Sequence, residues 1–514
     1  MRQLTFLFFI GILIALSSCR TDFETVASTG DLKFSRDTIY LDTVFTNIGS
    51  STYTLKVYNN SKNDITIPTI KLGNGLASKY RMTVDGTQGN QGKLFENVNL
   101  LAKDSLYIFV ETTANIADAN PTDFLYTDQI LFDGGANLQK VELVTLIQDA
   151  VFLYPQRFDD GTTETLRLGT DNKEKPIYIY GFFLDENDPI NGNELKFTNK
   201  KPYVVYGYAA VPSGKTVSFD SGTRVHFHAD SGLILASNAS LHVNGTISTT
   251  DKLENEVIFE GDRLEPDFSD VAGQWGPIWF TSGSTNHKIN HLTIKNATVG
   301  LWIDNNDGTT VDIKNTQIYN SSNYGILAQT AKINGENLVI NNAGLASLAC
   351  IYGGNYKFVH STFNNNWPSS SQLAVSVSNY YKGAIPEVKN LTQATFNNCI
   401  IYGSYSNEMN LVKKLGATFE YQFNNCLIKF DNTSNVYTKD PLYQFTTDPV
   451  HYNAITQNKD PKFFKVGKNI LHIDDTSAAF AKGNATYLIP LDIMGTTRTL
   501  PPDLGAYQNK PFPK

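Results

Sequence analysis

Side chains able to do chemistry are concentrated in one run of this 514-residue chain. It reads Phe259-Glu260-Gly261-Asp262-Arg263-Leu264-Glu265-Pro266-Asp267-Phe268-Ser269-Asp270, followed by Gly273-Gln274-Trp275-Gly276. The run holds five carboxylates and one guanidinium. Asp262, Asp267 and Asp270 can supply oxygen ligands to Ca²⁺, a hard cation that takes six to eight of them; no other cofactor is expected. Arg263 can clamp an anion, or serve as the base of a lyase if its pKa were strongly lowered. The competing reading is structural, an Asp262–Arg263 network pinning the run against the body of the protein. His226 and His228 share a face at i, i+2, with His242 near. A zinc site there lacks a third ligand at a recognisable spacing, so solvent-facing or loop-bonded histidines are the plainer expectation. No nucleophile elbow, phosphate-binding glycine loop or zinc-protease motif occurs.

Strands must place these residues, and the strands repeat. A β-branched or aromatic residue, one spacer and Asn recur as Ile294-Lys295-Asn296, Ile318-Tyr319-Asn320, Ile340-Asn341-Asn342, Phe363-Asn364-Asn365, Phe396-Asn397-Asn398 and Phe423-Asn424-Asn425. The asparagines are 24, 22, 23, 33 and 27 residues apart. A period near two dozen without helical patterning marks a β-solenoid, one coil per repeat. Turn asparagines adopt the left-handed conformation and hydrogen-bond along a stack, so they are assigned to the scaffold and not to chemistry.

Earlier coils are short apolar strands. Their alternation turns Val225, Phe227, Leu241 and Val243 inward, and Arg224, His226, His228 and His242 outward. The run 260–276 interrupts this rhythm as a projecting loop, where binding and catalysis are usually built on a solenoid. Alternation also turns Trp279 and Trp302 outward. They lie 23 residues apart, one coil, and should stack on one face with Leu327 continuing the row. An outward aromatic row suits the apolar faces of sugar rings, unless a loop or neighbouring domain covers it.

From Asp31 to Ala150 the pattern is short alternating strands separated by turns such as Gly73-Asn74-Gly75 and Asp133-Gly134-Gly135, which reads as a β-sandwich. Its stretch from Asp42 to Ser61 resembles the immunoglobulin-like domains near the membrane end of bacterial surface proteins. The later coils resemble right-handed parallel β-helix proteins, a fold shared by polysaccharide lyases, polysaccharide hydrolases and adhesins. Polygalacturonase-type hydrolases carry N-T-D, D-D and G-H-G on successive coils. Here the only D-D pairs are Asp159-Asp160 and Asp474-Asp475, and G-H-G is absent. The segment with Asp460-Pro461, Asp492-Ile493-Met494-Gly495-Thr496-Thr497-Arg498 and Asp503-Leu504-Gly505-Ala506-Tyr507 resembles the terminal segment of secreted bacterial β-helix proteins. It reads as an end cap, with Asp492, Arg498 and Asp503 as a charged clasp.

The N-terminus pairs Arg2 with an apolar run from Leu4 to Leu16, the length of a signal-peptide core. Leu16-Ser17-Ser18-Cys19 resembles the lipobox of bacterial lipoproteins, which implies cleavage before Cys19 and lipidation of that thiol. Asp22 and Glu24 resemble the acidic surface-export signals of Bacteroidota lipoproteins. The expected division is a signal peptide (1–18), a linker (19–30), a sandwich (31–150), a connecting segment (151–202), a right-handed parallel β-helix (203–455) and a cap (456–514).

Net charge is −8 with no basic cluster, which argues against nucleic acid as a partner. Cys399 and Cys426 recur in successive Phe-Asn-Asn-Cys repeats and read as buried small hydrophobes, a disulfide being the alternative. The expected protein is an all-β, lipid-anchored outer-membrane module, facing the periplasm or the cell surface. It would bind glycan or another surface partner through Trp279 and Trp302. The alternatives are a polysaccharide lyase or glycoside hydrolase, and a purely architectural protein.

Overall fold

The computed structural model describes residues 24–170, 173–383 and 386–512; Cys19 and the segment before it lie outside them. The chain forms two compact units, divided between Asp149 and Ala150.

The first unit is a β-sandwich. One sheet runs in the order Val26–Ala27, Ile65–Leu72, Leu125–Phe132, Gln139–Gln148, Thr38–Phe45, with Leu94–Leu100 also pairing to Ile65–Leu72. The other runs Lys33–Phe34, Tyr53–Tyr58, Ser105–Thr112, Tyr80–Val84. Period-2 alternation turns Leu55, Val57, Ile108 and Val110 of one sheet toward Ile39, Ile67, Ile130 and Leu143 of the other. Tyr80 is wholly buried and its hydroxyl donates to the Tyr126 carbonyl at 2.8 Å, so no polar atom is stranded there.

The second unit is a parallel β-helix with three long sheets. The first has eleven strands, from Val151–Leu153 to Thr456–Gln457. The second has ten, from Thr165–Thr170 to Met409–Val412, and the third ten, from Lys196–Phe197 to Tyr452–Asn453. The polar stretch 151–202, expected as a connector, is the first coil. Val151–Leu153 pairs in parallel with Tyr203–Val205, Gly181–Phe183 with Tyr208–Ala210, and Lys196–Phe197 with Ser218–Phe219. Its polar look comes from an antiparallel hairpin, Thr165–Thr170 against Pro176–Phe183, that leaves many side chains in solvent.

Inside the coils, like residues stack. Phe358, Phe396, Phe423 and Tyr452 form a column with successive ring centroids 5.2, 4.9 and 5.6 Å apart. Cys399 and Cys426 are buried free thiols.

The asparagine rhythm resolves into two corners. Asn296, Asn320 and Asn342 have φ of 65°, 56° and 64° at the corner leaving the first sheet. Asn320 donates to Asn296 at 3.2 Å and Asn342 to Asn320 at 2.8 Å. Asn365 ends a strand at the same corner without a positive φ, its side chain bonded to the Ala343 and Leu373 carbonyls. Asn398 and Asn425 instead stand at the corner entering that sheet, in line with Asn315, Asn337 and His360. The change of corner alone would shorten the fourth spacing; it stretches to 33 because that coil carries an inserted antiparallel hairpin, Tyr380–Lys382 against Pro386–Val388.

The end cap is built differently from expectation. Residues 430–445 close the last coil with Phe430, Tyr437, Tyr443 and Phe445, and the Tyr443 hydroxyl accepts the Leu411 N–H on the final strand of the second sheet. The segment 459–512 contains no strand and lies along the outer face of the first sheet, covering it sideways. It packs Leu471, Ile493, Ala506 and Tyr507 on Tyr319 and Val339, and Ile473, Ala479 and Leu504 on Ile400 and Leu427.

Asp492, Arg498 and Asp503 are all buried beneath it, but not as a closed ion triad. Asp492 accepts the backbone N–H groups of Met494, Thr496 and Gln508, and Asp503 those of Ala481 and Asn509. Arg498 Nη2 donates to Asn337 and to the Gly505 and Ala506 carbonyls. Burial lowers its pKa to about 10, against the pull of Asp492 and then Asp503.

Candidate functional site

Trp279 and Trp302 are in register on the outer face of the second sheet, as expected. Their rings stack at 4.6 Å between centroids and 6° between planes, so each covers one face of the other. Trp279 also packs with Leu166 and Ile179 of the first-coil hairpin and with Ile234. Register places Leu327 beyond Trp302. Trp302 Nε1 donates to Gln329 at 3.0 Å. The ring faces that sugar stacking needs are therefore taken up within the protein, and the row works as packing. The covering hairpin sits in the stretch whose turn-rich sequence hid it.

The run 260–276 gives a different picture from either chemical reading. Arg263 lies over the Phe268 ring at 3.8 Å and bonds Glu265 at 3.2 Å, not Asp262. Gln274 Nε2 donates to the Phe268 and Val271 carbonyls, and Asn296 to the Ser269 carbonyl, which pins the loop. Trp275 leaves the loop for the core, stacked on Phe227 at 4.4 Å. Asp262 bonds His228, Asp270 lies 3.4 Å from Lys468, and Asp267 is exposed. The three aspartates are thus not brought together. Among the described residues no group of three His, Cys, Asp or Glu side chains is arranged to hold a metal ion.

What the loop does build is a charged window on the outer face of the first sheet. Parallel register sets His226 beside Glu260, and Glu260 Oε2 meets Lys295 Nζ of the next coil at 3.2 Å. One step along, His228 Nδ1 donates to Asp262 Oδ2 at 2.7 Å, and the imidazole packs on the Tyr206 ring at 4.5 Å. Burial lowers the pKa of His226, whose Nδ1 reaches the Gly261 carbonyl at 3.3 Å. The bond to Asp262 raises that of His228. Burial works to raise Glu260, but Lys295 and then His226 outweigh it and hold the carboxyl below its ordinary range. The window thus presents a half-exposed imidazole biased toward its charged form, a fixed carboxylate and an ammonium. Such a set can bind hydroxyls or move a proton.

The sequence points to His226, His228, Glu260 and Asp262, but not to Lys295, which pairs with Glu260, or to Tyr206, on which His228 packs. Lys295 lies 35 residues after Glu260, and the inserted loop hides that this is a single coil. Glu408 was not singled out either. It is sealed between coils, accepts from Gln372 Nε2 at 3.0 Å and from the Tyr405 N–H at 2.8 Å, and burial raises its pKa to about 7. Glu408 Oε2 and Gln372 Oε1 are both buried without a donor, so the neutral acid suits this pocket.

No family model matches the chain, and no curated protein matches it. Solved structures show partial likeness at low identity. A PapD-like domain of human CEP192 aligns over 26% of this chain and 96% of its own, at 12% identity and TM-score 0.16. A family 123 glycoside hydrolase from Clostridium perfringens aligns over 24% at 9% identity and TM-score 0.16, and the present chain spans only 26% of that one. The catalytic unit of a GH87 alpha-1,3-glucanase from Streptomyces thermodiastaticus aligns over 78% of this chain and 66% of its own, at 10% identity and TM-score 0.17.

Proposed function

We propose that this chain is a lipid-anchored cell-envelope protein whose β-helix binds a polysaccharide at the window formed by Tyr206, His228, Glu260, Asp262 and Lys295. The observation that carries the reading is a contrast on one surface. From Tyr319 onward the first sheet is covered by the C-terminal segment, whereas at Glu260 and Lys295 it keeps charged groups within reach of solvent. Paired charges beside the half-buried Tyr206 ring offer donors, acceptors and an apolar edge, the mixture that sugar hydroxyls and C–H faces require.

Affinity electrophoresis through gels containing alginate, pectin or hyaluronan tests this. Retardation should be present for the wild type and lost in Lys295→Ala and His228→Ala; wild-type mobility unchanged by every polymer sinks the reading. One observation favours a second reading, acid–base cleavage of the bound chain: Asp262 holds the His228 imidazole as a proton donor. Unsaturated uronides appearing in ultraviolet absorbance, or new reducing ends, would separate cleavage from binding. The anchor rests on Cys19, and labelling with radioactive palmitate should fail in Cys19→Ser.

A further inference from the structure

The N-terminal sandwich carries a surface of another kind. Its strand Ser105–Thr112 turns Leu106, Ile108 and Val110 into the core and Tyr107 and Phe109 outward. Those two rings are 45% and 40% exposed, lie within 13° of parallel, and have centroids 6.4 Å apart. Lys56 sits over Tyr107 at 5.1 Å, which leaves Phe109 as the open platform. Phe109 forms one side of a cleft of about 300 Å³ whose polar lining is Arg81, Thr83, Gln88, Gln91 and Glu111.

The ion pair and the loop backbone of that lining are fixed before any ligand arrives. Arg81 Nη2 and Nε meet Glu111 Oε2 at 2.7 and 2.8 Å, and Nη1 donates to Thr113 at 3.0 Å. The loop bearing Gln88 and Gln91 is tied down where the Gly92 N–H donates to the Gln88 carbonyl and the Met82 N–H to the Gly92 carbonyl, both at 2.9 Å. Gly92 must come this close, since a Cβ there would lie 3.0 Å from the Met82 carbonyl oxygen. Gln91 is held at φ 53°, a conformation that non-glycine residues resist and that persists only where the surroundings enforce it.

We propose that this cleft is a binding site for a neutral pyranose unit of a polysaccharide, separate from the window on the β-helix. A pyranose presents an apolar C–H face and a rim of hydroxyls. Phe109 suits the first, and the two amides with the Arg81–Glu111 pair suit the second because together they both donate and accept. The class is neutral because Arg81 is already matched by Glu111, leaving no unmet charge to recognise a carboxylate or sulfate.

Affinity electrophoresis of the full-length protein in detergent micelles, through gels containing xylan, galactomannan, dextran or hydroxyethylcellulose, is the test. At least one polymer should retard the protein, Phe109→Ala should weaken that retardation about tenfold, and Phe109→Tyr should restore it. If Phe109→Ala lowers the melting temperature, the exposed pair Gln88→Ala/Gln91→Ala decides in its place. Wild-type mobility in all four gels overturns the proposal. So does retardation that ignores Phe109 and both glutamines. Retardation lost only in Lys295→Ala and His228→Ala would leave the β-helix reading standing and this one refuted.

Discussion

Two stretches of the same outer face diverge in character. Past Tyr319 the outward positions of the first sheet include Val339, Ile400 and Leu427, all but fully buried beneath the C-terminal segment, with the polar Asn341, Thr362 and Asn364 buried among them. Before it they include His228, Glu260 and Lys295, which reach solvent. The strands are otherwise alike, parallel and in register from coil to coil. What differs is the cover. Outward residues follow their cover and not their strand: Val339, Ile400 and Leu427 lie under the lid, and the charged set His228, Glu260 and Lys295 lies where it stops.

The largest test of that contrast removes the lid. Each apolar side chain uncovered costs about 1.5–3 kcal/mol, so deleting residues 459–514 should abolish cooperative thermal unfolding. A truncated protein melting like the parent would break the comparison. Within the lid, Leu504→Ala should cost about 2–5 kcal/mol in denaturant unfolding, whereas Lys295→Ala in the window should cost about 1 kcal/mol or less. Equal penalties would mean that the window is no more open than the covered half.

Two glutamates sharpen the same point. Glu408, raised to about 7 by burial, favours its protonated form in the folded state. Its contribution is therefore complete below the ordinary carboxyl range and is lost as pH climbs through about 7, by on the order of 3 kcal/mol in all. Glu408→Gln should flatten that slope in unfolding measured from acid to mildly alkaline pH; an unchanged slope would place the titration elsewhere. Glu260, held ionised by Lys295, should give the opposite and shallower trend, gaining stability as pH rises past the acid range. The smallest effect belongs to His228. Its raised pKa stabilises the fold below the ordinary imidazole range and the gain disappears as pH passes the folded value. Asp262→Asn should bring the His228 NMR titration back toward that of a free imidazole.

The β-helix was legible because its corners constrain backbone conformation, and Asn tolerates the left-handed turn that Asn296, Asn320 and Asn342 adopt. Which corner each asparagine occupies was not legible, since the Phe-x-Asn phrase is the same at Asn365 and Asn398. Alternation placed Trp279 and Trp302 outward correctly, yet whether their faces stay open depends on Leu166 and Ile179, 113 and 100 residues before Trp279 in a hairpin without coil rhythm. The lid escaped for a related reason. It has no strands, hence no period, and its anchors are distant pairs such as Arg498 with Asn337, 161 residues apart. Local pattern reports local geometry; contacts made across the whole chain leave no such mark.

Those distant anchors bear on how the molecule is made. A coil pairs with one formed some two dozen residues before it, so the β-helix can grow by short-range closure as the chain emerges. The lid cannot: Tyr507 meets Gln317 and Asn469 meets Asn341 only after the intervening coils stand. Assembly should thus pass through a stage in which Val339, Ile400 and Leu427 face water with their partners still missing, and the arrival of the segment 459–512 would be what ends it.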